Sequence, residues 1–521
     1  MVKLLKNKPS NTKILALKVK TESNNLGLLK TLIVTLLIFV QLTLIILSTI
    51  YMMTGFKYYT IIAMCFSFIA SVHVLSSHTN GQTKATWIFL LLFCFSFGYI
   101  IYLLSNEKIL FGRARKKYKK IYEKTNNLLK NNININTLPT ILKQSCNYLN
   151  NSGFVPYKNC NSTYFSSGSQ FFDNLIEDLK KAEDFIFIEY YIITDGILLS
   201  RISDILLEKS KQGVDIRIIY DDMGSHSKLS RKTKKKFKSN GIKLNHFNRF
   251  TPIFNLALNL RNHRKIVVID GKVAYTGGAN LADEYINEKQ IYGYWKDAGI
   301  KIEGKAIDTF TISFLRQWEF IIKEEIDYKK FINKSDDFKN DNITIPFVSG
   351  PEFSYSIARD VYINLISSAQ ERLYIMSPYF IPEETITNLL INKAKSGVDV
   401  KLIIPGIADK KFVYVVSRDY AERLISNGIQ VFTMTNSFVH SKVVYSENSA
   451  VVGSINMDLR SFHQQFESAV YTTDTKVLSD ILTDFNSTLK FCSQITKENR
   501  RRNKIIYRIF ACIFRLMSPL M

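Results

Sequence analysis

Residues 263–280 read HRKIVVIDGKVAYTGGAN, and residues 440–456 read HSKVVYSENSAVVGSIN. Each opens on a histidine with a lysine two positions later, runs on through valine and isoleucine, and closes on Gly-(Gly/Ser)-x-Asn. Such β-branched runs favour strands, and in a strand positions i and i+2 face the same side. His263 and Lys265 therefore project together, as do His440 and Lys442. The Asp270-Gly271 step predicts a tight hairpin. Its returning strand delivers Asn280, and in the second copy Ser454 and Asn456. One His-x-Lys in a chain with 69 lysines and arginines means little; two copies in one frame mean a duplication.

Outward from these motifs the duplication continues. Residues 172–192 (FDNLIEDLKKAEDFIFIEYYI) match 361–381 (VYINLISSAQERLYIMSPYFI) in outline: a helix, a turn, then a buried strand. Residues 209–222 (KSKQGVDIRIIYDD) likewise match 394–406 (AKSGVDVKLIIPG). Gly213 and Gly397 fit glycines that end a helix before a strand. Alternating short apolar and longer amphipathic runs specify α/β architecture. The expected division is a first half at 152–340 and a second at 341–490. The polar stretch 329–342 joins them, 111–151 is a linker, and 491–521 is a basic amphipathic tail.

The first 110 residues differ in kind. Residues 31–53 carry no charge and suffice, as a helix, to cross a hydrocarbon core of roughly 30 Å. Residues 58–75 form a weaker candidate span. Residues 86–104 form a third, with Trp87, Tyr99 and Tyr102 suited to interfaces. The first run lies too far from the N-terminus, and is too long, for a cleavable signal. Two to three transmembrane helices are expected, with the globular part cytoplasmic by the lysine- and arginine-rich flanks around Lys13–Lys30 and Lys108–Lys120.

The net charge of +24 favours anionic partners, either nucleic acid or an acidic membrane surface. The six cysteines form neither a CxxC pair nor a Cys/His cluster with zinc spacing, so no metal site and no disulfide framework are expected. Residues 232–238, with five lysines, suit lipid headgroups or simply a solvated helix face. Residues 254–260 suit a lipid-lined approach or a buried connecting helix. The tail suits either a bilayer surface or docking on the second half.

The paired motifs fit phosphodiester chemistry. Lysines neutralise an anion that repels nucleophiles, and amide or hydroxyl donors such as Asn280, Ser454 and Asn456 stabilise charge gained at its oxygens. One neutral imidazole attacks phosphorus while the other, protonated, supplies the leaving alcohol with its proton. Two His-x-Lys pairs make one such site.

These residues resemble the two HxKxxxxD signatures of the phospholipase D superfamily. With Glu189-Tyr190-Tyr191, Asp221-Asp222, Gly277-Gly278, Trp295-Lys296-Asp297 and Pro378-Tyr379-Phe380, they are similar to bacterial cardiolipin synthases over nearly the whole chain. The resemblance implies two phospholipase D-like α/β halves, mixed sheets flanked by helices, behind a membrane anchor. It implies a cofactor-free transfer of a phosphatidyl group between two phosphatidylglycerol molecules through a phosphatidyl-histidine, at the cell membrane, without nucleic acid. It makes His263, Lys265, Asp270, His440, Lys442 and Glu447 the catalytic set, with His263 as nucleophile by analogy, although Asp270, at a hairpin turn, suits a structural role better than a catalytic one. It also makes Asp297 and Glu467 the carboxylates that orient the histidines. Glu447 stands where the pattern has aspartate, and its loop is one residue shorter than the first. The turn must absorb that slip or Ser454 and Asn456 would face the wrong way. A hydrolase with the same site, and an inactive relic, remain alternatives.

Overall fold

The computed structural model describes residues 107–249 and 260–496 apart from 131, 132 and 337, together with parts of 36–102 and 505–516. Strands of the first half are β1 (Asn161–Phe165), β2 (Phe185–Tyr190), β3 (Asp215–Asp221), β4 (Lys243–Phe247), β5 (Lys265–Ile269), β6 (Val273–Gly277) and β7 (Gly299–Glu303). They form one sheet in the order β1-β7-β6-β5-β2-β3-β4. The second half holds β8 (Thr344–Ser349), β9 (Arg372–Met376), β10 (Asp399–Pro405), β11 (Gln430–Met434), β12 (Val443–Ser446), β13 (Ala450–Gly453), β14 (Gln465–Thr472) and β15 (Cys492–Gln494). Their order is β8-β14-β13-β12-β9-β10-β11-β15. Strand for strand, the second sheet repeats the first and adds β15. In both, the central strand pairs antiparallel with the histidine-motif strand and parallel with its other neighbour. The mixed α/β duplication expected from the sequence is therefore present.

Local chemistry explains the repeat. In helix Gly168–Lys180 the Ser167 hydroxyl accepts from the Gln170 N–H, and Phe171, Phe172, Leu175, Ile176 and Leu179 form the buried stripe. Helices Ile197–Lys211 and Glu384–Lys395 both run into a glycine of positive φ, +91° at Gly213 and +92° at Gly397. At each, the glycine and the following valine turn their N–H groups back onto helix carbonyls, which satisfies the frayed end and starts the strand. β2 and β9 are buried almost throughout, as strands covered on both faces must be. Helix Ile307–Ile322 is buried from Ile307 to Glu319. It packs on strands of the first sheet and on β8, which suits its apolar residues on every side.

Several expectations change. Residues 111–151 are no loose linker: they hold helices Glu107–Thr125 and Thr140–Asn151. Tyr118, buried, donates to Gln317 at 2.9 Å and stacks on Phe320 at 4.0 Å, while Tyr148 donates to Asp360 at 2.8 Å. The second sheet extends past residue 490 through β15. The tail's helix, Ile505–Leu516, docks on helix Lys411–Ile425 through Phe412–Phe514 at 4.9 Å and Arg515–Asp419 at 3.5 Å. That favours docking over a free amphipathic helix. Residues 254–260 lie outside the described residues except Leu260.

Among the described residues, one helix is long and apolar enough to cross a membrane, Tyr59–Ser76, with mean hydropathy 1.8. Multiple transmembrane helices are not established by it. Much of 31–53 and 86–104 lies outside the described residues, which there include the apolar helices Ile46–Gly55 and Gly81–Phe93. On Tyr59–Ser76, Ala70 and Val74 pack towards Leu91, while Ile61, Ile62, Phe66, Phe68 and Ile69 remain exposed. A core helix of a water-soluble domain would bury such side chains.

Candidate active site

The site is built where the two halves cross. Two short parallel pairings stitch them: Arg261–Asn262 against Gln465–Phe466, and Tyr294–Lys296 against Ser437–Val439. At the end of the first, His263 N–H donates to the Phe466 carbonyl at 2.8 Å; at the end of the second, His440 N–H donates to the Lys296 carbonyl at 2.7 Å. The residues after those carbonyls are Glu467 and Asp297. His263 Nδ1 consequently lies 2.9 Å from Glu467 Oε2, and His440 Nδ1 lies 2.8 Å from Asp297 Oδ2. Each half thus orients the other half's histidine. With Nδ1 engaged by a carboxylate, Nε2 is the ring nitrogen left for chemistry.

Both imidazoles are 7% exposed and line one cleft of about 2070 Å³ together with Asn280 and Asn456. Tyr191 packs edge-on to His263 at 5.2 Å, and Tyr285 and Trp295 lie 5.3 and 5.2 Å from His440. Tyr191 lies just past β2, Tyr285 in the 3-10 turn Asp283–Ile286 and Trp295 in the three-residue strand Tyr294–Lys296, segments too short for hydrophobic periodicity to give a signal. Lys265 Nζ donates to the His263 carbonyl at 2.8 Å, and Lys442 Nζ to the His440 carbonyl at 2.5 Å. The i, i+2 spacing therefore does gather imidazole and ammonium.

Behind His263 the chain is braced by buried charge. Arg264 pairs with Glu352 at 2.5 Å, Asn262 donates to Glu189 at 2.6 Å, and the Asn262 N–H donates to Asp221 at 3.0 Å. Buried ion pairs add little net stability, but removing one partner strands the other in a low dielectric. Gly278 makes room for the second orienting contact: a Cβ there would fall 2.1 Å from Asp297 Oδ1 and 2.8 Å from the His440 carbonyl.

Burial, reinforced by Lys265 and Lys442, pushes the His263 imidazole well below its ordinary value. Burial and Lys442 push His440 down to about 4 despite the upward pull of Asp297. Burial likewise lowers Lys265 to about 7 and Lys442 to about 8, and raises Glu467 to about 8. Burial thus disfavours the charged form of both ammonium groups, and an anion between them favours it. Raising pH through 7–8 strips charge from the lysines of the free protein. Affinity for an anionic phosphodiester then falls, so kcat/KM declines on the alkaline side with an inflection at about pH 7–8. kcat, measured with substrate bound, declines at higher pH. A pH series of initial rates checks both.

Three expected site residues land elsewhere. Asp270, left-handed at φ +55°, accepts from the N–H groups of Glu183, Asp184 and Phe185, each at 2.8 Å. It sits at the far end of β5, roughly 16 Å of strand from Lys265, which removes it from the catalytic set. Glu447 takes the same post, accepting from Gln370 at 2.8 Å and Arg372 at 3.1 Å. The shorter loop is absorbed there. Ile266 faces Thr276 in the first hairpin and Val443 faces Val452 in the second, the same register relative to each histidine and glycine. Ser454, expected to hold phosphate, instead donates to Glu467 and accepts from the Ser468 N–H at 2.9 Å. Asn280 lines the cleft while its amide donates to Tyr285 at 2.6 Å. Asn456 lines it with a buried amide oxygen that has no partner among the described residues.

Asp270→Ala orphans three backbone donors and is expected to cost roughly 3 kcal/mol of stability. Half-buried Glu447→Ala costs less, and neither changes the rate per folded molecule. Denaturant titration beside active-site titration checks this.

Two half-sites that exchange carboxylates, each a His-x-Lys leading directly into a strand, define an enzyme of the phospholipase D superfamily. The comparisons are specific: the model of the family "cardiolipin synthase, PLD-like domain" matches residues 175–307 and 362–489, and the chain belongs to that family. A cardiolipin synthase of Clostridium perfringens is 34% identical over 460 residues, covering 85% of this chain and 95% of that one. An uncharacterized protein of Streptococcus mutans is 38% identical over 377 residues, 72% of this chain and 82% of its own. The fold is shared with a crystal structure of phosphatidylserine synthase from Haemophilus influenzae, with TM-score 0.56 and 13% identity over 74% of this chain and all of that one.

Proposed function

We propose that the chain condenses two phosphatidylglycerol molecules into cardiolipin and releases glycerol. The observation that supports this most is the pairing of His263 with Glu467 and His440 with Asp297 across one cleft, in a family whose curated relatives are cardiolipin synthases. His263 Nε2 attacks the phosphorus of the first lipid. The bond to the glycerol oxygen breaks, and that oxygen takes a proton from His440 Nε2. The hydroxyl of the second phosphatidylglycerol then gives its proton back to His440. Its oxygen attacks phosphorus, and the P–N bond returns its electrons to His263. Burial and two lysines hold His263 neutral for attack; His440 is also lowered, but Asp297 pulls it back upward, so it is the imidazole that takes up the proton when an anionic phosphodiester binds beside it and then supplies it to the leaving oxygen. Lys265, Lys442, Asn280 and Asn456 hold phosphate oxygens. Residues 152–340 form the first phospholipase D-like domain, the second begins at 341 and runs past 490 to include β15, and two to three apolar runs before residue 110 anchor them on the cytoplasmic side of the cell membrane.

The experiment is incubation of the full chain with phosphatidylglycerol in vesicles, following cardiolipin and free glycerol together. Equal amounts of both are expected. Phosphatidic acid in place of cardiolipin would transfer the site to a hydrolase, and no product from any phospholipid would sink the reading.

A further inference from the structure

The condensation requires a second anion in a cleft that already holds one, and this inference rests on that reading. The leaving glycerol of the donor is neutral, whereas the acceptor that replaces it carries its own phosphodiester. Since the acceptor oxygen attacks where glycerol departed, its phosphate must lie further out, beyond the four phosphate-holding groups. The same cleft carries a cationic pair. Lys410 precedes helix Lys411–Ile425, and Arg460 lies in the short helix Leu459–His463. Both line the same cleft as the two histidines.

Three observations make this pair more than scattered surface charge. Lys410, exposed at the cleft, holds its ammonium over the Tyr379 ring, 5.4 Å from the centroid. Its charge is felt at the chemistry, being among the groups, after burial and Lys265, Lys442 and His440, that push His263 down. Burial lowers Lys410 itself, with Arg460 adding to the effect against the pull of Asp409, so the two cations sit close enough to disfavour one another. The duplication supplies an internal contrast. Arg460 stands four residues after Asn456, and the residue four after Asn280 is Glu284, which also lines the cleft. At that matched position the second half therefore places a cation where the first places an anion.

We propose that Lys410 and Arg460 form the acceptor subsite, binding the phosphodiester of the second phosphatidylglycerol so that its free glycerol hydroxyl reaches the phosphatidyl-histidine. Glu284 on the opposite bank repels an anion from the alternative pose. In the product, one phosphate lies between Lys265 and Lys442 and the other between Lys410 and Arg460, joined by the bridging glycerol.

The two half-reactions separate under one assay. In vesicles of phosphatidylcholine and phosphatidylglycerol with labelled glycerol in the buffer, incorporation of label into phosphatidylglycerol reports formation and reversal of the covalent intermediate. That exchange uses a neutral acceptor, while cardiolipin formation uses the anionic one. For Lys410→Ala and Arg460→Met, cardiolipin formation is expected to fall roughly tenfold or more relative to exchange, the loss of a charge-assisted contact. The charge-preserving Lys410→Arg should recover most of it. An equal fall in both reactions, or no change in either, overturns the subsite. If the wild-type chain supports neither reaction, it is the condensation itself that fails.

Discussion

Replacing His263 by glutamine stops cardiolipin formation, with a fall in rate of roughly 10⁴-fold or more, because the P–N bond has no atom to form on. The substitution retains the backbone donation to Phe466 and much of the ring's volume, so folding is preserved and the loss is chemical. The companion measurement is trapping. Wild type mixed with labelled phosphatidylglycerol and quenched in alkaline denaturant, since phosphoramidates hydrolyse in acid, should carry label on the peptide containing His263. Label on the peptide containing His440 would reverse the two roles and leave the transferase intact.

The second large effect comes from a residue two hundred positions away. Glu467→Gln removes the group that ionises to balance the imidazole as it becomes bonded to phosphorus, and puts in its place an amide that cannot ionise and always donates. Ser454, which donates to Glu467 in the native site, then competes for the amide oxygen with His263 Nδ1. The histidine loses its fixed tautomer, and kcat falls roughly 10²- to 10⁴-fold. Asp297→Asn should do the same through His440. Rates of labelled-glycerol exchange measure both losses, and an effect under fivefold at Glu467 would show that the carboxylate is a packing element only.

Much of this was legible in sequence because the duplication states each signal twice. The paired His-x-Lys strands, the glycines 213 and 397 and the hairpins are local features, and local features survive translation into structure. The roles of Asp270 and Glu447 were harder to read, since a carboxylate near a motif looks the same whether it faces substrate or ties down a turn. Only the strand length separating it from Lys265 decides. Ser454 was misassigned for a related reason: strand alternation fixes the side on which a residue lies, and a neighbouring Glu467 then claims its hydroxyl. The crossed pairing of histidines with carboxylates lies beyond periodicity altogether, since it depends on two short parallel strand contacts whose paired residues are 143 and 204 positions apart in the chain. The helices within 111–151 escaped because low apolar content in Glu107–Thr125 hid how much of Tyr118 and Tyr122 the core would claim.

The crossed pairing also sets a clock on synthesis. When His263 leaves the ribosome, the carboxylate that fixes its tautomer is still about two hundred codons from being translated, and the strand that aligns it does not yet exist. A growing chain already held at a lipid surface would therefore carry its nucleophile in an idle state. Competence arrives late and at once, when the segment around Glu467 closes against Arg261–Asn262. Premature release, truncation or a failed second half would yield a silent protein instead of one that cuts phospholipid without a proper acceptor.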